Sequence, residues 1–247
     1  MTERIAVLSD IHGNIWALEA VLAEIDASGI TRILNLGDSL YGPLRPRETA
    51  ERIRNRGFPS IAGNEDRLIL EAGNGPPHNF TIRENLEALD SSSLDWLRTL
   101  PSTLASRNLY LCHGSPGDDC AYLCEDVTDR GVIIKSSDEL EALLAGLSQT
   151  IFLCGHSHVP RVVSLSNGKT IINPGSVGLP AYADDVPRPH KMEAGRPDAA
   201  FAVITLESGR LMSVQPRWVT YDRDTAVREA LRNNRPDWAR WLATGRV

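Results

Sequence analysis

The stretch Ile5-Ala6-Val7-Leu8-Ser9-Asp10-Ile11-His12-Gly13-Asn14 reads as a strand-like apolar run that ends in a loop carrying a carboxylate and an imidazole. Asn14 is placed to cap a helix over residues 15–27, where Ala17, Leu18, Val21, Leu22 and Ile25 share one face at helical spacing and Gly29 supplies the stop. Working outward, the alternation repeats. Residues 33–36 are strand-like, 47–55 helical and 60–62 strand-like again, a βαβ rhythm that implies parallel strands. In such sheets ligands collect just beyond the C-terminal strand ends, and Asp10, Asp38, Asn64, His113 and His156 all fall there.

After Gly155 the pattern changes to strand–turn–strand. Residues 161–165 and 169–172 flank Ser166-Asn167-Gly168, and residues 200–206 and 210–216 flank Glu207-Ser208-Gly209, both hairpin signals. Parallel segments followed by hairpins predict an α/β fold in four layers, an α/β/β/α sandwich of two mixed β-sheets flanked by helices. Residues 1–247 read as a single domain. Stretches 71–100 and 117–147 interrupt the alternation and are candidate lids or substrate walls, the latter with Leu140, Leu143, Leu144 and Leu147 at helical spacing. Residues 222–247 form a helical extension in two pieces, 225–233 and 236–244, whose Trp238 and Trp241 are expected to pack in a core or at a subunit contact.

A formal charge of −6 and a pI near 5.5 argue against long nucleic acid, which needs a basic stripe, but leave small anionic substrates open if bound metal inverts the local charge. The first apolar run is too short for a signal-peptide core or a membrane span, so a cytoplasmic location and no membrane partner are expected. A homo-oligomer is compatible with everything in the chain. Cys112, Cys120, Cys124 and Cys154 show no paired spacing and are expected to be reduced thiols without chemistry. His78 and His190 lie in Pro-rich stretches and read as surface-loop residues, while residues 181–196 are the best candidate for a specificity loop.

The chain has six histidines, and four fall in or between Asp10-Ile11-His12, Gly37-Asp38, Gly63-Asn64-Glu65-Asp66 and Gly155-His156-Ser157-His158. Oxygen and imidazole donors in this layout suit a two-metal hydrolytic site, in which paired cations clamp a phosphoryl group and acidify a shared water. In these blocks, together with the lone His113, the chain resembles the calcineurin-like metallophosphoesterase superfamily. The stretches Gly37-Asp38-Ser39-Leu40-Tyr41-Gly42-Pro43 and Asn173-Pro174-Gly175-Ser176-Val177-Gly178 resemble its small prokaryotic YfcE-like phosphodiesterase branch.

By position, the resemblance implies Asp10, His12 and His158 on a first metal, Asn64, His113 and His156 on a second, and Asp38 bridging both. It implies a dinuclear phosphoesterase of phosphodiesters or small nucleotide-like phosphates, with a hydroxide shared by the metals as nucleophile. Ligand type alone suits Mn, Fe, Co, Ni or Zn, with Mn the expected metal. Two departures stand out. Glu65 occupies the place where many members carry a leaving-group-protonating His, so either Glu65 is the general acid or the leaving groups are good enough to depart with only a water or metal to assist, and Asp66 is an orienter or a brace for the loop. No Asp-Arg-Gly follows Asp38 as in protein phosphatases, so Arg45, Arg47, Arg161, Tyr182 and the loop at Ser176 are the candidate substrate contacts. The alternatives are a dinucleoside polyphosphate hydrolase, a protein phosphatase, or a non-catalytic scaffold like the retromer subunit that resembles this family.

Overall fold

A computed structural model describes residues 2–73 and 79–247. His78 and part of the 71–100 stretch lie outside them. The first half runs β1 (Thr2–Leu8), α1 (Ile15–Ala27), β2 (Arg32–Asn35), α2 (Pro46–Arg56), α3 (Asn64–Ala72), α4 (Phe80–Ala88) and α5 (Ser91–Thr99). The middle contributes β3 (Thr103–Ala105), β4 (Leu109–Cys112), β5 (Glu125–Thr128), β6 (Gly131–Ile134), α6 (Ser137–Leu143) and β7 (Ile151–Leu153). The remainder is β8 (Arg161–Ser164), β9 (Thr170–Asn173), β10 (Ala181–Asp184), β11 (His190–Glu193), β12 (Ala199–Glu207), β13 (Arg210–Val219), α7 (Arg223–Arg232) and α8 (Pro236–Thr244).

Two mixed sheets form the centre. One has the order β13-β12-β1-β2, with β1 and β2 parallel and the rest antiparallel; the other has the order β3-β4-β7-β9-β8, with β4, β7 and β9 parallel. The period-2 alternation of each strand decides which layer a side chain enters. Ile5 and Val7 of β1, Ile204 of β12, Leu109 and Leu111 of β4 and Ile151 and Leu153 of β7 meet between the sheets. Their neighbours face outward: Ala6, Leu8, Phe201 and Val203 pack on α1, and Cys112, Phe152, Cys154 and Ile171 pack on Leu140 of α6 and Leu144 at its C-terminal cap. Because both faces of every central strand are covered, the strands are nearly continuously apolar. The result is the four-layer α/β/β/α sandwich.

Both hairpins form, β8–β9 and β12–β13. Residues 60–62 do not make a strand; Ser60 contributes one parallel bridge to Asn35, and the chain leaves the sheet at once to enter α3. His190, expected on a surface loop, is buried at the start of β11, where its Nε2 meets the Tyr122 hydroxyl at 2.8 Å. Within 71–100, α4 and α5 pack on α2 and α3 through Leu40, Ala50, Ile69, Leu89 and Leu97. Within 117–147 lie the β5–β6 hairpin and α6. No described helix is long and apolar enough to cross a membrane.

Candidate metal centre

The loops that leave β1, β2, β4 and β7 meet at the carboxyl edge of the two sheets. Backbone bonds tie the first two side by side: the N–H groups of Asp10, His12 and Gly13 donate to the carbonyls of Gly37, Asp38 and Ser39, each at 3.0 Å. Gly178 N–H donates to the Asp10 carbonyl, and Glu65 N–H donates to Asp38 Oδ1 at 2.9 Å. The packing is close enough that a Cβ at Gly63 would collide with the Asp38 carboxylate, and one at Gly155 with Ser9 and Asp10.

Asp10, His12, Asp38, His156 and His158 all have positive φ, between 49° and 68°, and among the described non-glycine residues only Ser208 and Asn234 share this conformation. Left-handed backbone is unfavourable for side-chain-bearing residues and persists where the surroundings enforce it, characteristically at functional sites. Here it turns consecutive loop side chains toward one point.

Two donor clusters result. Ligand atoms of Asp10, His12 and His158 lie within 4.8 Å of one another, as do those of Asp38, His113 and His156, and Asp38 also groups with His12 and Glu65. The backbone selects the nitrogen that each imidazole presents. His12, His113 and His158 place Nδ1 against the carbonyls of Tyr41, Leu36 and Leu179 at 2.9, 2.8 and 2.6 Å. Their Nδ1–H groups donate there, so Nε2 is the atom turned inward. His156 is reversed: its Nε2 meets the Cys120 carbonyl at 2.9 Å and leaves Nδ1 inward. Such outer contacts fix tautomer and ring orientation in metal-binding histidines.

The donor set fits divalent cations. Asp10 Oδ1 and Asn64 Oδ1 are buried without a hydrogen-bond partner, a costly condition for polar atoms unless a cation is their partner. The Nε2 atoms of His12 and His158 approach to 3.1 Å while both Nδ1 atoms are committed as donors, an arrangement that a shared cation would relieve. Imidazole mixed with carboxylate and amide oxygen suits first-row divalent ions.

Electrostatics follow from burial. Burial and neighbouring imidazoles push His12 and His156 down to about 4, keeping both neutral. Burial also disfavours charge on His113 and Asp38, yet each stabilises the other at 3.1 Å: His113 is held up to about 10 and the Asp38 carboxyl well below its ordinary range. Burial and the carboxylates of Asp38 and Asp10 raise Glu65 well above the ordinary value, and its Oε2 lies 3.4 Å from His12 Nδ1. Asp66 is raised to about 7 by burial and Asp38. Its carboxyl accepts from the N–H groups of Ser39, Leu40 and Gly63, bracing the loop that carries Asp38, and it does not line the cleft.

The cleft over these clusters holds about 250 Å³ and is lined by His12, Asp38, Asn64, Glu65, His156 and His158 on its floor. Tyr41, Tyr182, Asp184, Arg235, Trp238 and Trp241 form its walls. Of the candidate substrate contacts only Tyr182 is there; its hydroxyl donates to the His156 carbonyl at 2.9 Å. Arg45 turns to Glu48 and Glu229, Arg47 to Glu51 and Asp90, and Arg161 to the buried Glu125. Ser176 is buried, its hydroxyl donating to the Asp10 carbonyl and accepting from Leu179 N–H. No residue of 71–100 or 117–147 lines this cleft among the described residues. Its far wall comes from β10 and the C-terminal helices, where Arg235 carried no sequence signal and the tryptophans read as packing residues.

A sequence model of the calcineurin-like phosphoesterase superfamily domain matches residues 4–190. The chain belongs to that superfamily. As a calcineurin-like phosphoesterase it is a metal-dependent phosphoester hydrolase, with the clusters above as its candidate metal ligands. A metallophosphoesterase from Sphaerobacter thermophilus is 26% identical and superposes with a TM-score of 0.76 over 98% of this chain and 99% of its own. A hypothetical protein from Pyrococcus horikoshii OT3 is 22% identical and shares the fold, with a TM-score of 0.74 over 98% of each chain. An uncharacterized protein of Methanocaldococcus jannaschii is 28% identical over 95% of this chain and 94% of its own.

Proposed function

We propose that this phosphoesterase works with two divalent cations, Mn by preference, and hydrolyses phosphodiesters or small nucleotide-like phosphates. The observation that carries the reading is the position of Asp38, whose carboxylate belongs to the His113–His156 cluster and also groups with His12 of the other. A carboxylate reaching both clusters would bridge the two cations. Asp10, His12 and His158 would hold one cation, and Asn64, His113 and His156 the other. When bound, the pair supplies Lewis acidity toward the phosphoryl oxygens and an acidified water at neutral pH.

The protein residues supply orientation. Carbonyls of Leu36, Tyr41, Leu179 and Cys120 hold the four rings, Asp66 holds the Asp38 loop, and the walls exclude solvent from one side. Glu65 lines the cleft beside His12, where a proton donor to a leaving group belongs. Hydrolysis of bis(p-nitrophenyl) phosphate beside p-nitrophenyl phosphate, in Mn and in chelator, tests the reading. Mn-dependent cleavage faster for the diester supports it; a faster monoester, or turnover surviving the chelator, refutes it.

A further inference from the structure

The family match ends at residue 190, yet part of the wall facing the metal clusters is built from α8 and the turn before it. The cleft lining carries three carboxylates, Asp38, Glu65 and Asp184, and among the described lining residues one Lys or Arg, Arg235. With Asp38 assigned to the cations in the reading above, Arg235 is the protein's own cationic side chain in the cleft lining, and Asp184 is a carboxylate on the same wall.

Arg235 is also held in place. It sits at the N-terminal cap of α8, and its backbone N–H donates to the Ala230 carbonyl at 2.9 Å. Asp237 accepts from Nε and Nη2 at 2.9 and 2.7 Å, fixing the plane of the guanidinium, and Thr81 of α4 accepts from Nη1 at 2.6 Å. The guanidinium carbon lies 5.3 Å from the Trp238 ring, which in turn meets His12 edge-on with centroids 5.7 Å apart. Of the five N–H groups of an arginine these contacts use three, leaving one on each Nη. A guanidinium restrained by a carboxylate and an aromatic face, with donors to spare, is pre-organised for a phosphate or carboxylate.

Resting on the phosphodiesterase reading above, we propose that Arg235 is a specificity-determining residue that binds a second anionic group of the substrate, separated from the scissile phosphate by the width of Trp238. The preferred substrates are then phosphodiesters carrying a further phosphate, such as terminally phosphorylated oligonucleotide ends, over diesters with one charge.

The test uses two chromogenic substrates with the same scissile bond, the 5′-(p-nitrophenyl phosphate) of thymidine with and without a 3′-phosphate. Wild-type protein in Mn should show a kcat/KM at least tenfold higher for the 3′-phosphorylated ester, expressed mainly in KM. Arg235→Gln should bring the ratio of the two values close to one, and Arg235→Lys, which keeps the charge and loses the fork, should retain an intermediate ratio. As a readout independent of turnover, thymidine 3′,5′-bisphosphate should bind chelator-treated wild-type protein in calorimetry at least threefold more tightly than Arg235→Gln. A wild-type ratio near one, or a ratio that both variants leave unchanged while melting temperatures stay at the wild-type value, overturns the proposal. Failure of wild-type protein to cleave either ester refutes instead the phosphodiesterase reading on which it rests.

Discussion

An imidazole can give a metal only one of its nitrogens, and the partner of the other nitrogen decides which. In this protein four backbone carbonyls make that choice, three for Nε2 and one, at His156, for Nδ1. The ligands themselves were legible in the sequence because their types are chemically distinctive and glycines bracket them. The arginines were not, since Arg45 and Arg161 look like any surface arginine until Glu229 and Glu125, far away in sequence, are seen to pair with them. At this scale Asp66→Ala should weaken metal affinity or diesterase activity by about 10–100-fold, measured by calorimetry and initial rates, because the brace on the Asp38 loop loses acceptors for three backbone N–H groups. Glu65→Gln should leave metal stoichiometry by elemental analysis unchanged while slowing substrates with poor alcohol leaving groups by about 100-fold or more, and p-nitrophenyl esters much less. Equal losses across leaving groups would remove Glu65 from the proton-donor role.

Elements in this fold are joined at their ends, and Asn14 shows how. Its Oδ1 accepts from Ala17 N–H at 3.1 Å to cap α1, while Nδ2 donates to the Gly178 carbonyl and to the Tyr221 hydroxyl. The cap was readable from residue type and the following helical periodicity; the reach to Gly178 and Tyr221 was not, because it depends on how β12 and β13 return the chain to β1. Asn14→Ala should cost about 1–3 kcal/mol in denaturant unfolding, more than an isolated cap, since a buried carbonyl also loses its donor. Burial raises the Tyr221 phenol to about 12, against which the Asn14 hydrogen bond works. The folded state therefore keeps this proton longer than the unfolded chain, so stability falls as pH rises from 10 toward 12, by about 2–3 kcal/mol in all. Tyr221→Phe should flatten that part of the curve. Residues 60–62 misled because three apolar-flanked residues satisfy a strand pattern whether or not a partner strand lies alongside.

At the scale of the molecule, two sheets share one core and their carboxyl edges share one site. The βαβ rhythm followed by hairpins sufficed to foretell stacked mixed sheets, since apolar strands buried on both faces need a layer on each side. The origin of the cleft wall was illegible, because Trp238 and Trp241 at helical spacing satisfy a packing role and a lining role with the same residues. Truncating the inter-sheet core, as in Leu36→Ala, should cost about 2–5 kcal/mol, seen as a lower denaturant midpoint with an unchanged slope. The measurement that bears most directly on the dinuclear account is a titration of Mn into chelator-stripped protein, with bound metal and bis(p-nitrophenyl) phosphate turnover followed together in wild type and Asp38→Asn. The account predicts two equivalents bound per chain, activity rising with the second, and loss of both occupancy and turnover in Asp38→Asn. Full activity at one equivalent, or an Asp38→Asn protein that retains wild-type turnover, would contradict it.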